Sequence, residues 1–271
     1  MTSSPAGALS GTALRVATAA VLIPVVLAVV LWAPQWLYAA FVGLFALLAL
    51  HEYLAMAQKW GAAPFDPVAY LSAAALIAWP SAAVSVLLLT ALGALALTML
   101  PRRPLESALP AAAATLLGVA YVGLPMALLA DLRRLPQGAL WVIYVLLITW
   151  ISDTAAYFAG RAFGKRKLAP RISSGKTWEG AVASTVAAAV FGAGFAAWRF
   201  PDVPLLASLA MAIAVNLAGQ VGDLAESALK RGTGVKDSSA LLPGHGGLLD
   251  RIDALLFAAP VLWYYAFFAS I

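Results

Sequence analysis

The sequence predicts an all-α, polytopic integral membrane protein, and three observations predict it. Hydrophobic residues make up 63% of the 271 positions and charged residues only 11%, where a water-soluble domain carries about 25% charged residues. The mean hydropathy is +0.91, and the charge deficit runs along most of the chain. Apolar runs close to the roughly 20 residues needed to cross a bilayer follow one another, separated by short polar breaks.

Taken in order, the runs place spanning helices near 16–33, 36–57, 67–80, 82–100, 110–130, 138–160, 180–198, 204–228 and 252–270. The first, VATAAVLIPVVLAVVLWA, follows a small, polar N-terminus and reads as a retained helix rather than a cleaved leader. The third run is short, and Trp79-Pro80-Ser81 is a tight connection to the fourth. The eighth, extended to Arg231, would be about 42 Å long at about 1.5 Å per residue, longer than a hydrocarbon core of about 30 Å. The expected count is therefore about nine, within a single membrane domain of residues 1–271. Residues 1–150 serve there as supporting helices, and 151–271 carry the chemistry.

Charge placement orients the chain. With nine spans, fourteen of the seventeen Lys and Arg residues fall on the side of the N-terminus, and Arg133, Arg134 and Arg199 on the other. Basic residues concentrate in cytoplasmic loops, so the N-terminus is expected in the cytoplasm and the C-terminus outside, in a bacterial inner membrane. The net charge of +5 is accounted for by this bias and by anionic membrane lipid, without nucleic acid. There is no cysteine and only His51 and His245. This excludes disulfides, thiolate metal sites and histidine clusters. Chemistry is expected at the cytoplasmic face, in loops 161–179 and 229–251 and the helix ends beside them.

Asp223, Glu226, Ser227 and Lys230 recur at spacings of three and four, so a helix places them on one stripe. The plain reading is a helix end with a solvated Glu226–Lys230 pair; the other is a polar cavity, since ionisable groups at membrane depth are costly. Asp250 and Asp253 open the last helix, where negative charge complements the helix dipole. The preceding PGHGG holds His245, Gly246 and Gly247. Glycines there permit positive φ or close backbone approach, and turn amides can cradle phosphate; His245 is read as a phosphate contact. Carboxylates from two helices joined by a basic, glycine-bearing loop suit Mg²⁺, one ion or more, which is shared with substrate phosphates.

Loop 161–179 is basic. Lys165, Arg166 and Lys167 are explained by lipid contact, whereas SSGKTWEG puts Ser173, Lys176 and Thr177 at a helix start. A phosphate-binding P-loop is rejected because its first glycine would fall at Pro170. Asp153, Tyr157 and Arg161 follow at successive fours on one helical face, with Asp153 either a third acidic site residue or the partner of a nearby cation. His51-Glu52 reads as a polar contact between helices.

The run Ser227-Ala-Leu-Lys230-Arg231, then Lys236-Asp237, then Leu242-Pro243-Gly244-His245-Gly246-Gly247-Leu248-Leu249-Asp250-Arg251-Ile252-Asp253 resembles the signature of phosphatidate cytidylyltransferases. Gly222-Asp223-Leu224-x-Glu226-Ser227, Asp153-Thr154 and Lys176-Thr177-Trp178-Glu179-Gly180 also resemble that family's pattern. Ser173-Ser174 departs from the Ser-Pro expected there. The likeness is strong over about 150–255 and limited to hydropathy before it.

The resemblance implies condensation of CTP with phosphatidic acid to CDP-diacylglycerol and pyrophosphate, metal-binding aspartates at Asp223 and Asp250, and a homodimer. On that reading Lys230, Arg231, Lys236 and Arg251 neutralise phosphates. Ser173, Lys176, Thr177, Glu226, Ser227, His245, Gly246, Gly247 and Asp253 line the substrates. The rival readings are another Mg²⁺-dependent membrane lipid-phosphate transferase, and an ion-coupled transporter using Asp153 and Asp223. The first would show DGxxAR or paired DxxxD motifs, and the second inverted repeats; neither pattern occurs in the sequence.

Overall fold

The computed structural model describes residues 11–100, 104–241 and 246–269, with side chains described for 20–100, 104–241 and 246–268. The chain runs through α1 (Gly11–Trp32), α2 (Gln35–Lys59), α3 (Asp66–Ala78), α4 (Ala83–Thr98), α5 (Ala108–Gly118), α6 (Leu124–Leu132) and α7 (Gly138–Phe163). A hairpin of β1 (Lys167–Ala169) and β2 (Ser173–Thr177) follows, then α8 (Trp178–Arg199), α9 (Leu205–Gly232) and α10 (Leu249–Ala269).

Each expected span coincides with a helical segment, but the count of crossings differs. Among the described residues, seven segments are long and apolar enough to cross a bilayer: Gln35–Lys59, Pro80–Thr98, Leu105–Leu132, Gly138–Phe163, Trp178–Arg199, Leu205–Gly232 and Leu249–Phe268. Ala20–Trp32 and Asp66–Ala78 are apolar but shorter. The 13 residues of α3 extend only about 20 Å at about 1.5 Å each, because the hydrophobic run stops at Trp79-Pro80, where proline opens a 3-10 turn. The hairpin is a second difference. Loop 161–179 is an antiparallel pair with Lys167 opposite Thr177 and Ala169 opposite Ser173.

Helix ends follow local chemistry. Thr177 caps α8, its Oγ1 accepting from the amide of Gly180 at 3.2 Å, an arrangement that satisfies one of the helix's orphan donors. Between α5 and α6 a π-helical turn spans Val119–Gly123 just before Pro125. Proline cannot donate to the α-helical ladder, and a π-turn re-phases the ladder around it. The result is one continuous segment whose middle turn points Tyr121 inward.

The main core cluster is built on Tyr38, Leu50, Leu54, Leu76, Tyr144, Ile148, Leu249, Leu256 and Leu262, and a smaller one gathers Phe65, Ala94, Ala111 and Ala112. Small residues set how closely the last four helices approach, as is usual where lipid supplies no hydrophobic drive between helices. A Cβ on Gly192 would lie 2.5 Å from that of Ala212 and 2.7 Å from the Tyr144 hydroxyl. A Cβ on Gly222 would lie 2.5 Å from the carbonyl of Asp253. That second contact draws α9 against α10 where both carry aspartates.

Consecutive segments run antiparallel. The stacked rings of Trp141 and Phe200, 3.7 Å apart, join the start of α7 to the end of α8. The indole of Trp263 donates to Asp131 at 3.0 Å, which joins the end of α6 to the far half of α10. The C-terminal ends of α2, α7 and α9 and the N-terminal ends of α8 and α10 therefore gather at the other face.

Candidate active site

Three polar groups are assembled at that face. The first is closed. Lys230, on the last turn of α9, lies between Glu226, with which it forms an ion pair, and Asp250 Oδ1 at 2.6 Å. Asp250 also accepts the amides of Gly247 at 2.8 Å and Ser238 at 3.1 Å. Its side chain is 7% exposed, and that of Glu226 1%. The Glu226–Lys230 pair is thus buried, not the solvated pair that spacing alone allowed, and through Asp250 it becomes a structural clasp between α9 and α10.

The second group is open. Lys176 of β2 approaches Asp223 of α9 at 2.6 Å, with Asp223 36% exposed. The Lys176 ammonium is buried and makes no hydrogen bond among the described residues, so its attraction to Asp223 is Coulombic. The charge of Asp223 acts on Asp153 of α7 and on Asp253 of α10, and that of Asp153 acts on Asp253, so three helices bring three carboxylates within electrostatic range of one another. Lys176 and Arg251 offset Asp153. The hydroxyl of Tyr121 is buried beside them without a hydrogen-bond partner among the described residues, and it senses the charges of Glu226, Asp253 and Asp223.

The third group was not anticipated in this form. Glu52 of α2, 3% exposed, accepts from the hydroxyls of Ser238 at 2.8 Å and Ser239 at 2.6 Å. It also accepts from the amides of Leu248 at 2.9 Å and Leu249 at 2.8 Å. The sequence marked Glu52 as a polar contact, and its partners prove to be a loop and a helix N-terminus some 190 positions away. Nothing in a lone His-Glu pair identifies such distant partners.

Two cavities adjoin the open group. A polar one of about 570 Å³ is lined by Asp153, Tyr157, Arg161, Lys176, Thr177, Gln220 and Asp223 together with small residues of α7, α8 and α9. This is the face on which Asp153, Tyr157 and Arg161 were expected to align, and Arg161 donates to the Tyr157 hydroxyl at 3.0 Å. The other, about 380 Å³, is lined largely by apolar side chains of α1, α2, α6, α7 and α10, with Asp153, Arg251 and Asp253 as its charged residues. Asp153 lines both.

The remaining expected residues are distributed as follows. Arg231 is exposed and donates to the carbonyl of Val235 at 2.9 Å. Lys236 is exposed in the loop, Ser173 begins β2 half-buried, and Ser227 is buried on α9. The hydroxyl of Thr177 is engaged in its cap. Gly246 adopts φ +81°, and a Cβ there would lie 2.6 Å from Asp250 Oδ2. A Cβ on Gly247 would collide with Ser238 Oγ and Glu52. These glycines let the backbone close on the protein's own carboxylates. His245 lies outside the described residues.

Gln220 was not anticipated either. It donates to the Ala181 carbonyl and to Thr185 Oγ1, continuing a polar ladder from Ser184 and Asn216. The spacing Asn216, Gln220, Asp223 on one stripe could have revealed it.

These features define a polytopic helical membrane protein whose charged site, rich in both acids and bases, opens on a polar and an apolar cavity at once. A family model described as the cytidylyltransferase family matches residues 13–269, and the chain belongs to that family. Among similar proteins, a phosphatidate cytidylyltransferase of Haemophilus influenzae is 44% identical over 138 residues, 49% of this chain and 47% of that one. Another, of Bacillus subtilis, is 41% identical over 149 residues, 55% of each. A third, of Brucella suis, is 42% identical over 162 residues, 56% of this chain and 57% of the relative. The chain thus matches about half the length of these curated relatives.

Proposed function

We propose that this protein is a nucleotidyltransferase that condenses CTP with phosphatidate to give CDP-diacylglycerol and pyrophosphate. The observation that carries the reading is the pair of cavities sharing Asp153. The apolar one suits acyl chains entering from the bilayer, and the polar one suits a triphosphate. Family membership and the names of the similar proteins support the same reading. The basic residues of the site face lie on the N-terminal side of the charge bias, which favours a cytoplasmic site facing soluble CTP and pyrophosphate.

A phosphatidate oxygen attacks the α-phosphorus of CTP. The new phosphorus–oxygen bond forms as the bond from that phosphorus to the bridging oxygen breaks, and pyrophosphate leaves with the electron pair. The phosphomonoester is largely dianionic near neutral pH, so no side chain need remove a proton. The difficulty is to bring two anions together, and cations fixed in advance meet it. Lys176, Arg161 and Arg251 line or flank the two cavities and would offset phosphate charge there. Arg231 and Lys236, both exposed, would act at the outer rim. Gln220 and Tyr157 would orient the nucleotide.

The acidic group suits magnesium. Its donors are hard carboxylate oxygens, and the orphaned Tyr121 hydroxyl beside them leaves a polar position to fill. Among the described residues no three acidic or histidine side chains close on a common point as a metal cage. This fits an ion held by one or two carboxylates and completed by phosphate. Asp223 would hold it, with Asp253 and Asp153 adjacent. Asp250 would join only by releasing Lys230 or a loop amide. Bound there, the ion would draw charge from the α-phosphate oxygens.

Purified protein given CTP, Mg²⁺ and phosphatidate should release pyrophosphate, and omission of any one should stop it. Release without phosphatidate would assign a hydrolase instead. Size measurement in detergent tests the expected homodimer.

A further inference from the structure

We infer that Glu52 is a positioning residue for the reaction, the anchor that holds the loop after α9 and the start of α10 in register with the site; the inference rests on the function proposed above. Its four partners divide into two kinds. The Ser238 and Ser239 hydroxyls belong to the loop, and the Leu248 and Leu249 amides are orphan donors at the α10 N-terminus. One carboxylate therefore joins three parts of the chain, with α2 as the fixed post.

The consequence reaches Asp250. The backbone of Ser238, whose side chain is on Glu52, donates to Asp250, and so does Gly247, one residue before Leu248. Asp250 in turn grips Lys230. Releasing Glu52 thus frees the segment that supplies two of the three groups holding Asp250. Glu52 itself lines neither cavity, although Leu248, whose amide it holds, lines the apolar one, so it acts through others.

Chemistry makes the carboxylate specific. Every group around it donates, so Glu52→Gln would turn an amide NH₂ toward a donor. Glu52→Asp would fall short by one methylene. The site lies seven residues before the end of α2, about 10 Å down its axis at about 1.5 Å per residue. Irregular backbone at that depth needs internal partners, and Glu52 is one.

The test compares wild type, Glu52→Gln, Glu52→Asp and the gentler Ser239→Ala, all as full chain in detergent. Pyrophosphate release should fall about 100-fold in Glu52→Gln and less in Glu52→Asp. The loss should be in kcat, with KM for CTP and phosphatidate within threefold, the pattern of geometry lost in the transition state. Ser239→Ala, which removes one donor to Glu52 and the acceptor of the exposed Leu241 amide but no charge, should lose severalfold in kcat and fold normally.

Hydrogen exchange read on peptides covering 233–241 and 246–249 should rise in Glu52→Gln while α7 and α8 stay protected. Wild-type kcat in Glu52→Gln, or unchanged exchange in the loop, overturns the inference. So does deprotection spread evenly over the whole protein in Glu52→Gln together with unchanged kcat in Ser239→Ala. A wild-type chain without transferase activity would count against the proposed function alone, because the exchange arm still decides whether Glu52 anchors the loop.

Discussion

Two clusters of charge lie side by side at the same face and are built on opposite principles. In the Glu226–Lys230–Asp250 cluster, acids outnumber the base, all three side chains are nearly enclosed, and Asp250 is held by three donors. In the Asp153–Asp223–Asp253 cluster the acids lie among neighbours of their own sign, with Lys176 on the partly exposed Asp223. A closed cluster of this kind holds two helices together. An open one has unmet electrostatic demand that a cation can satisfy, and a phosphate-bearing substrate can then complete the shell of that cation. The shared α9–α10 contact at Gly222 keeps the two in fixed relation.

The sharpest break in this comparison is Asp223→Asn. It should lower pyrophosphate release at least 1,000-fold while leaving thermal unfolding within a few degrees of wild type. Near-normal turnover would remove Asp223 from the chemistry and leave the open cluster without a function.

Lys230→Met tests the closed cluster from the other side. Removing one partner of a buried charge group costs about 3–5 kcal/mol because the remaining charges are left uncompensated. Unfolding in detergent should therefore shift sharply, whatever happens to activity. Lys176→Met should do the reverse. Its partner is partly solvated, so stability should change by less than about 1 kcal/mol, and pyrophosphate release should fall about 100-fold. If the two lysine variants behaved alike in both measurements, the distinction between clasp and site would be lost.

How much of this was legible in the sequence divides along the same line. Helical stripes were, because a period of 3.6 residues is local: Asp153, Tyr157 and Arg161 fall on one lining as their spacing said. The helix α9 also runs nearly where its apolar run and its charged end implied. The assignment of partners was not, because it depends on which helices meet. The sequence could not tell that Lys230 faces two acids while Lys176 reaches across from a hairpin to Asp223. Nor could it tell that the glycines of the last loop make room for Glu52 and Asp250. The hairpin itself escaped notice because its strands are three and five residues long and carry no alternating apolar pattern.

The smallest expected effect is at Lys167, and it sharpens the comparison by marking where the open cluster ends. Lys167 lies on β1 directly opposite Thr177, one residue from Lys176 in the hairpin, so chain proximity alone would place it in the site. Its side chain is nevertheless exposed, and it lines neither cavity, whereas its neighbour Leu168 lines the polar one. Alternation along a strand sends successive side chains to opposite faces, and Lys167 is on the outer one. An exposed lysine there can attract anionic lipid at about 1 kcal/mol without touching nucleotide. Lys167→Ala should therefore keep kcat within twofold in detergent, with any further loss confined to vesicles rich in anionic lipid. A tenfold loss in neutral detergent would extend the site across the hairpin and dissolve the boundary between lipid-facing and substrate-facing charge.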